Sequence, residues 1–78
     1  MKSVDAIMQA LRHLSTDPGP LAERLYSAEY AIKSWLSRSA DPVERRQMLQ
    51  ALDKKIVAMP GDDFWPAVRR NITQRLNQ

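Results

Sequence analysis

Apolar residues recur along this chain at spacings of three and four, separated by short polar breaks that carry proline or glycine. Four stretches show the pattern. Val4, Ile7, Leu11 and Leu14 form the first, with Met8 on the flank and Ser3 placed to cap the opening turn. The second runs from Leu21 to Arg38, with Leu21, Leu25, Ala28, Ile32, Trp35 and Leu36 on one side at about 100° per residue. In the third, Met48, Leu49, Leu52, Ile56 and Met59 share a face. Phe64, Trp65, Val68, Ile72 and Leu76 make the fourth. The spacing predicts helices over about 4–15, 20–38, 42–59 and 63–76, with no strand, repeat or low-complexity tract.

The breaks agree. Residues 15–20, STDPGP, cannot continue a helix and read as a stiff turn. Asp17 or Gly19 is placed to cap the helix that follows, with Pro18 or Pro20 in its first turn. Asp41-Pro42-Val43-Glu44 is a start signal, with Asp41 as cap, Pro42 first in the helix and Glu44 placed to reach back. Pro60-Gly61 ends the third helix. Asp63 is the better cap for the fourth, because it puts Pro66 in the first turn, where a missing N–H does no harm. The short Ser39–Asp41 connection makes the second and third helices antiparallel neighbours. The expected fold is all-α: a single small four-helix domain, residues 1–78, built on a central antiparallel helical hairpin.

Composition narrows the function. Seventy-eight residues amount to one small domain or one subunit of something larger, and with no cysteine, packing must hold it together. No apolar run approaches the roughly 18 residues a membrane span needs. Asp5, Gln9 and Arg12 interrupt what would be the apolar region of a signal peptide. A soluble, cytoplasmic protein with no membrane partner is expected.

Catalytic chemistry finds few candidates. His13, the one histidine, could act as a base with Ser15 or Asp17, but it sits on the polar face of a short helix. Asp62 and Asp63 supply too few oxygens for a hard metal ion, and helix capping already accounts for them. The two glycines form no phosphate cradle. No enzyme, no cofactor and no metal site is expected.

The net charge of +3 is spread out, near zero over residues 1–20 and about one positive charge in each later helix. A helix-turn-helix made from the last two helices would offer Arg69, Arg70, Asn71, Gln74 and Arg75 to a groove. Its leading end, however, carries Asp62 and Asp63, which would meet phosphates with like charge. A nucleic-acid-associated regulator using Arg69, Arg70 and Arg75, directly or through a DNA-binding partner, is therefore the alternative function.

The main expectation rests on the polar side of the second helix. Tyr26 and Tyr30 lie there one turn apart, beside Lys33 and Ser37. Such a patch is of the kind enriched in interface cores. Two placements are open: an exposed partner surface, or packing under the first or last helix with the hydroxyls in water. The function expected is a non-enzymatic protein–protein interaction module (an adaptor, co-chaperone or regulatory subunit). It would bind another protein or itself through Tyr26, Tyr30 and Lys33, with Trp65 second.

Three stretches carry two resemblances. LSRSADPVERRQMLQAL resembles the turn of the small hairpin co-chaperones of type III secretion needle subunits, which also open their second helix with a proline. The first and fourth helices depart from that pattern. The early DAIMQALR and the closing MPGDDFWPAVRR resemble the Hha/YmoA nucleoid modulators. Against that family the central helix is longer and the acidic pair has no clear counterpart. Both resemblances imply work through another protein, and neither transfers a functional residue.

Overall fold

Local turn chemistry divides the chain much as its pattern predicts. The computed structural model describes residues 2–38 and 41–77, with side chains from Val4 onward. Its elements are α1 (Lys2–Thr16), α2 (Leu21–Arg38), α3 (Pro42–Ala58) and α4 (Phe64–Leu76). The fold is all-α with four helices. α1 already includes Ser3, and the capping role expected of that side chain lies outside the described residues, as do Ser39 and Ala40 of the α2–α3 turn.

The caps show how the sequence sets the boundaries. Asp41 caps α3 as expected: its carboxylate accepts the Val43 N–H at 2.8 Å, and Pro42 opens the helix. α3 ends in a turn closed by the Asp62 N–H donating to the Met59 carbonyl at 3.2 Å. Pro60 and Gly61 occupy its centre with Gly61 at φ +88°, the pattern of a type II turn, whose third position favours glycine.

α4 departs from expectation in one detail. Asp63 holds the cap position, and its carbonyl accepts the Ala67 N–H, but its side chain makes no cap hydrogen bond. The capping carboxylate is that of Asp62, which accepts the Phe64 N–H at 2.7 Å. Before α2, neither Asp17 nor Gly19 caps. Asp17 takes the Gly19 N–H at 2.7 Å inside the loop, and the Pro20 carbonyl receives the first helical bond, from Arg24.

One core cluster draws on all four helices: Val4, Ile7 and Leu11; Ala28, Ile32 and Trp35; Met48 and Leu52; Phe64, Trp65, Val68 and Ile72. The other stripe members pack against its edge, except Met59. That residue lies just past the end of α3 at φ −128°, ψ 69°, so it leaves the helical register and stands 39% exposed.

The closest helix pairs are α1 with α2, α1 with α3, α2 with α4, and α3 with α4. Each helix therefore has two close neighbours. The α2 and α3 stripes meet through the shared core, with α1 and α4 making the nearer backbone approaches.

A candidate interaction face on the second helix

α2 has two faces because its sequence has two stripes. Ala28, Ile32 and Trp35 are fully buried. On the opposite side Glu23, Tyr26, Tyr30 and Lys33 follow one another at spacings of three, four and three, and all four are exposed. Tyr26 is 76% and Tyr30 74% exposed, so of the two placements open to them the structure takes the outward one. Neither hydroxyl has a hydrogen-bond partner among the described residues.

The stripe runs between two grooves lined by small side chains. One, between α1 and α2, has Ala6, Ala10, Ala31 and Ser34 beside Tyr30. The other, between α2 and α4, has Ala22, Ala28 and Ala67 beside Tyr26. Small side chains let a docking element approach the backbone closely, while the tyrosine rings project beside them.

Charge on this face is only partly satisfied within the chain. The Lys33 ammonium lies 3.8 Å from the Glu29 carboxylate one turn back, and the same oxygen receives a direct hydrogen bond from Arg75 on α4. Lys33 is thus the secondary partner of a carboxylate already held. Glu23, at the other end of the stripe, has no ion pair among the described residues.

Trp65 corrects the sequence-based expectation. It is fully buried, edge-to-face with Phe64 at 5.3 Å and 88°, under the Lys55 ammonium 5.9 Å from its ring. α4 packs against both α2 and α3, so its buried arc is wide enough to take Phe64 and Trp65 together. Trp65 is a core residue and offers nothing to a partner.

The arginines of α4 are divided. Arg69 donates to Asp53 on α3 at 2.6 Å and to Thr73, and Arg75 donates to Glu29 on α2 and to Asn71. These two clasp α4 to its neighbours, and of the expected basic face Arg70 alone stands exposed without an ion pair among the described residues. A phosphate backbone would have to compete with carboxylates already in place.

The groups near His13 are engaged elsewhere: Ser15 Oγ donates to the Arg12 carbonyl, and Asp17 holds the Gly19 N–H. Among the described residues no three acidic, histidine or cysteine side chains gather as metal ligands, and no helix is long and apolar enough to cross a membrane.

Two features were not read from the pattern. Val57, on α3, is 80% exposed. Arg24, in the first turns of α2, folds back to donate to the carbonyls of Gly19 at 3.0 Å, Ser15 at 3.1 Å and Leu14 at 3.4 Å. Its guanidinium also lies 5.8 Å from the Phe64 ring. The available signal was the STDPGP turn itself, which leaves the last carbonyls of α1 without helical partners and calls for a nearby cation.

Comparison of the chain with models of known protein families, with curated proteins and with solved structures finds no match, so the two resemblances rest on the quoted stretches alone.

Proposed function

We propose that this chain is a non-enzymatic protein–protein interaction module, an adaptor, co-chaperone or regulatory subunit of the cytoplasm, that binds through the outward face of α2. The observation that carries this reading is the exposure of Tyr26 and Tyr30, at 76% and 74%, in line on one helix and without a side-chain hydrogen bond among the described residues. Burying aromatic rings of this kind supplies much of the energy of protein interfaces. Lys33 at the edge of the patch adds direction more than strength.

The test is the double variant Tyr26→Ala/Tyr30→Ala compared with wild type by circular dichroism, thermal melting and binding. The expected result is loss of the partner or of self-association, with unchanged helicity and, at concentrations dilute enough to keep both chains monomeric, an unchanged melting temperature. Undiminished association would remove these tyrosines from the site, and a much lower melting temperature under those dilute conditions would make them structural.

A further inference from the structure

The outward stripe of α2 is self-complementary. Its order is Glu23, Tyr26, Tyr30, Lys33, and the spacing of three, four and three reads the same in both directions. The acid stands at the N-terminal end and the base at the C-terminal end. If a second copy of α2 is laid antiparallel across the first, with a two-fold axis passing between Tyr26 and Tyr30, Glu23 meets the other copy's Lys33. Tyr26 then meets the other copy's Tyr30. By symmetry each contact occurs twice. A parallel pairing would instead set Glu23 against Glu23 and Lys33 against Lys33, and would align the two helix dipoles.

We propose that the occupant of the α2 face is a second copy of this chain, docked antiparallel through Glu23, Tyr26, Tyr30 and Lys33. This rests on the reading of α2 as a protein-binding face and names its partner.

Three observations fit this pairing, and the second of them, the charges, favours a second copy over an unrelated partner. The four residues are exposed, and their spacing of three and four keeps them on one side of the helix, the geometry of a coiled-coil seam. Glu23 has no ion pair among the described residues, and Lys33 shares a carboxylate that Arg75 already holds. Each charge therefore lacks a full partner that the other copy supplies. The flanking grooves, walled by Ala10 and Ser34 on one side and Ala22 and Ala67 on the other, leave room for four tyrosine rings to pack at the centre.

Area limits the strength. A standard interface takes about 800 Å² from each partner, about 15% of this chain's 5153 Å² surface. An 18-residue helix is about 27 Å long and about 10–12 Å wide, so the flanking groove edges must add to its outward face for the pair to approach that size. A small interface held by exposed charges and four rings is expected to be weak, in the micromolar range.

The decisive experiment is sedimentation equilibrium at low salt on wild type, on Glu23→Lys, on Lys33→Glu and on an equimolar mixture of the two variants. In either variant alone, both symmetry-related pairs become like-charged, and the dimer is expected to weaken roughly tenfold or more. In the mixture, the Glu23→Lys chain presents a base at both ends of its stripe and the Lys33→Glu chain an acid at both ends. Association is expected to return, as a heterodimer. Circular dichroism on each sample confirms that the helices are intact.

Wild type remaining monomeric up to about 1 mM would overturn the second-copy proposal. It would leave the α2 face itself to be judged by the double-tyrosine variant against other proteins. A dimer that both single reversals leave unchanged would overturn the antiparallel pairing. A dimer that survives Tyr26→Ala/Tyr30→Ala would overturn the second-copy proposal, since the copies would then pair through another face, and would likewise leave the α2 reading to the double-tyrosine variant against other proteins.

Discussion

Arg24 holds three carbonyl oxygens at once, two from the end of α1 and one from the loop before α2. A planar, forked guanidinium suits this task, whereas an ammonium has to choose among the acceptors. Arg24→Ala is expected to lower stability by about 2 kcal/mol in urea unfolding, with Arg24→Lys recovering only part of it. At the start of α4 the neighbouring aspartates separate in the same way. Asp62→Ala removes the hydrogen bond to the Phe64 N–H and is expected to cost about 1 kcal/mol, while Asp63→Ala, which loses no cap bond, is expected to cost much less. Both residues were legible as cap candidates. The carboxylate that caps is the one two residues before its donor, as Asp41 stands before Val43.

Helices α2 and α4 carry the aromatic residues that decide the functional reading, and the two treat them oppositely. α2 packs on α1 and α4 and still has a free side, so Tyr26 and Tyr30 face outward. α4 lies against α2 and α3 and turns both its aromatic residues inward. Truncation should reveal the difference. Trp65→Ala is expected to cost about 3–5 kcal/mol, enough to unfold much of a domain this small, whereas Tyr26→Ala/Tyr30→Ala should stay within about 0.5 kcal/mol of wild type in the monomer. The clasps from α4 are weaker elements. Asp53 and Glu29 are 55% and 38% exposed, so Asp53→Asn or Glu29→Gln is expected to cost no more than about 1 kcal/mol in chemical denaturation.

Taken whole, the molecule has one core, no disulfide and only 78 residues, so association is a natural source of added stability. If the α2 face pairs two copies, the melting temperature of wild type rises with protein concentration and that of Tyr26→Ala/Tyr30→Ala does not. Calorimetry over a hundredfold dilution series makes the comparison. The same scale bears on nucleic acid. The net charge is only +3, and Arg69 and Arg75 are engaged with Asp53 and Glu29. No mobility shift of duplex DNA is expected even at about 50 mM salt, where phosphate contacts are strongest. A shift that vanishes as salt rises would favour the basic-helix alternative.

By itself the sequence determined the four helices, their boundaries to within a residue or two, and nearly every position that enters the core. Helices form through contacts between residues three and four apart, and proline, glycine and aspartate act on their immediate neighbours, so this information is local. The tertiary structure decided what depends on residues far apart in the chain. It put Trp65 inside and both tyrosines outside, left Met59 exposed beyond the end of α3, bound Arg69 and Arg75 to other helices, and folded Arg24 back over the end of α1. A helical stripe states which side of a helix is apolar. Which part of the remaining circumference is covered follows only from where its two neighbours lie, and in α2 the uncovered part is the Glu23–Lys33 stripe.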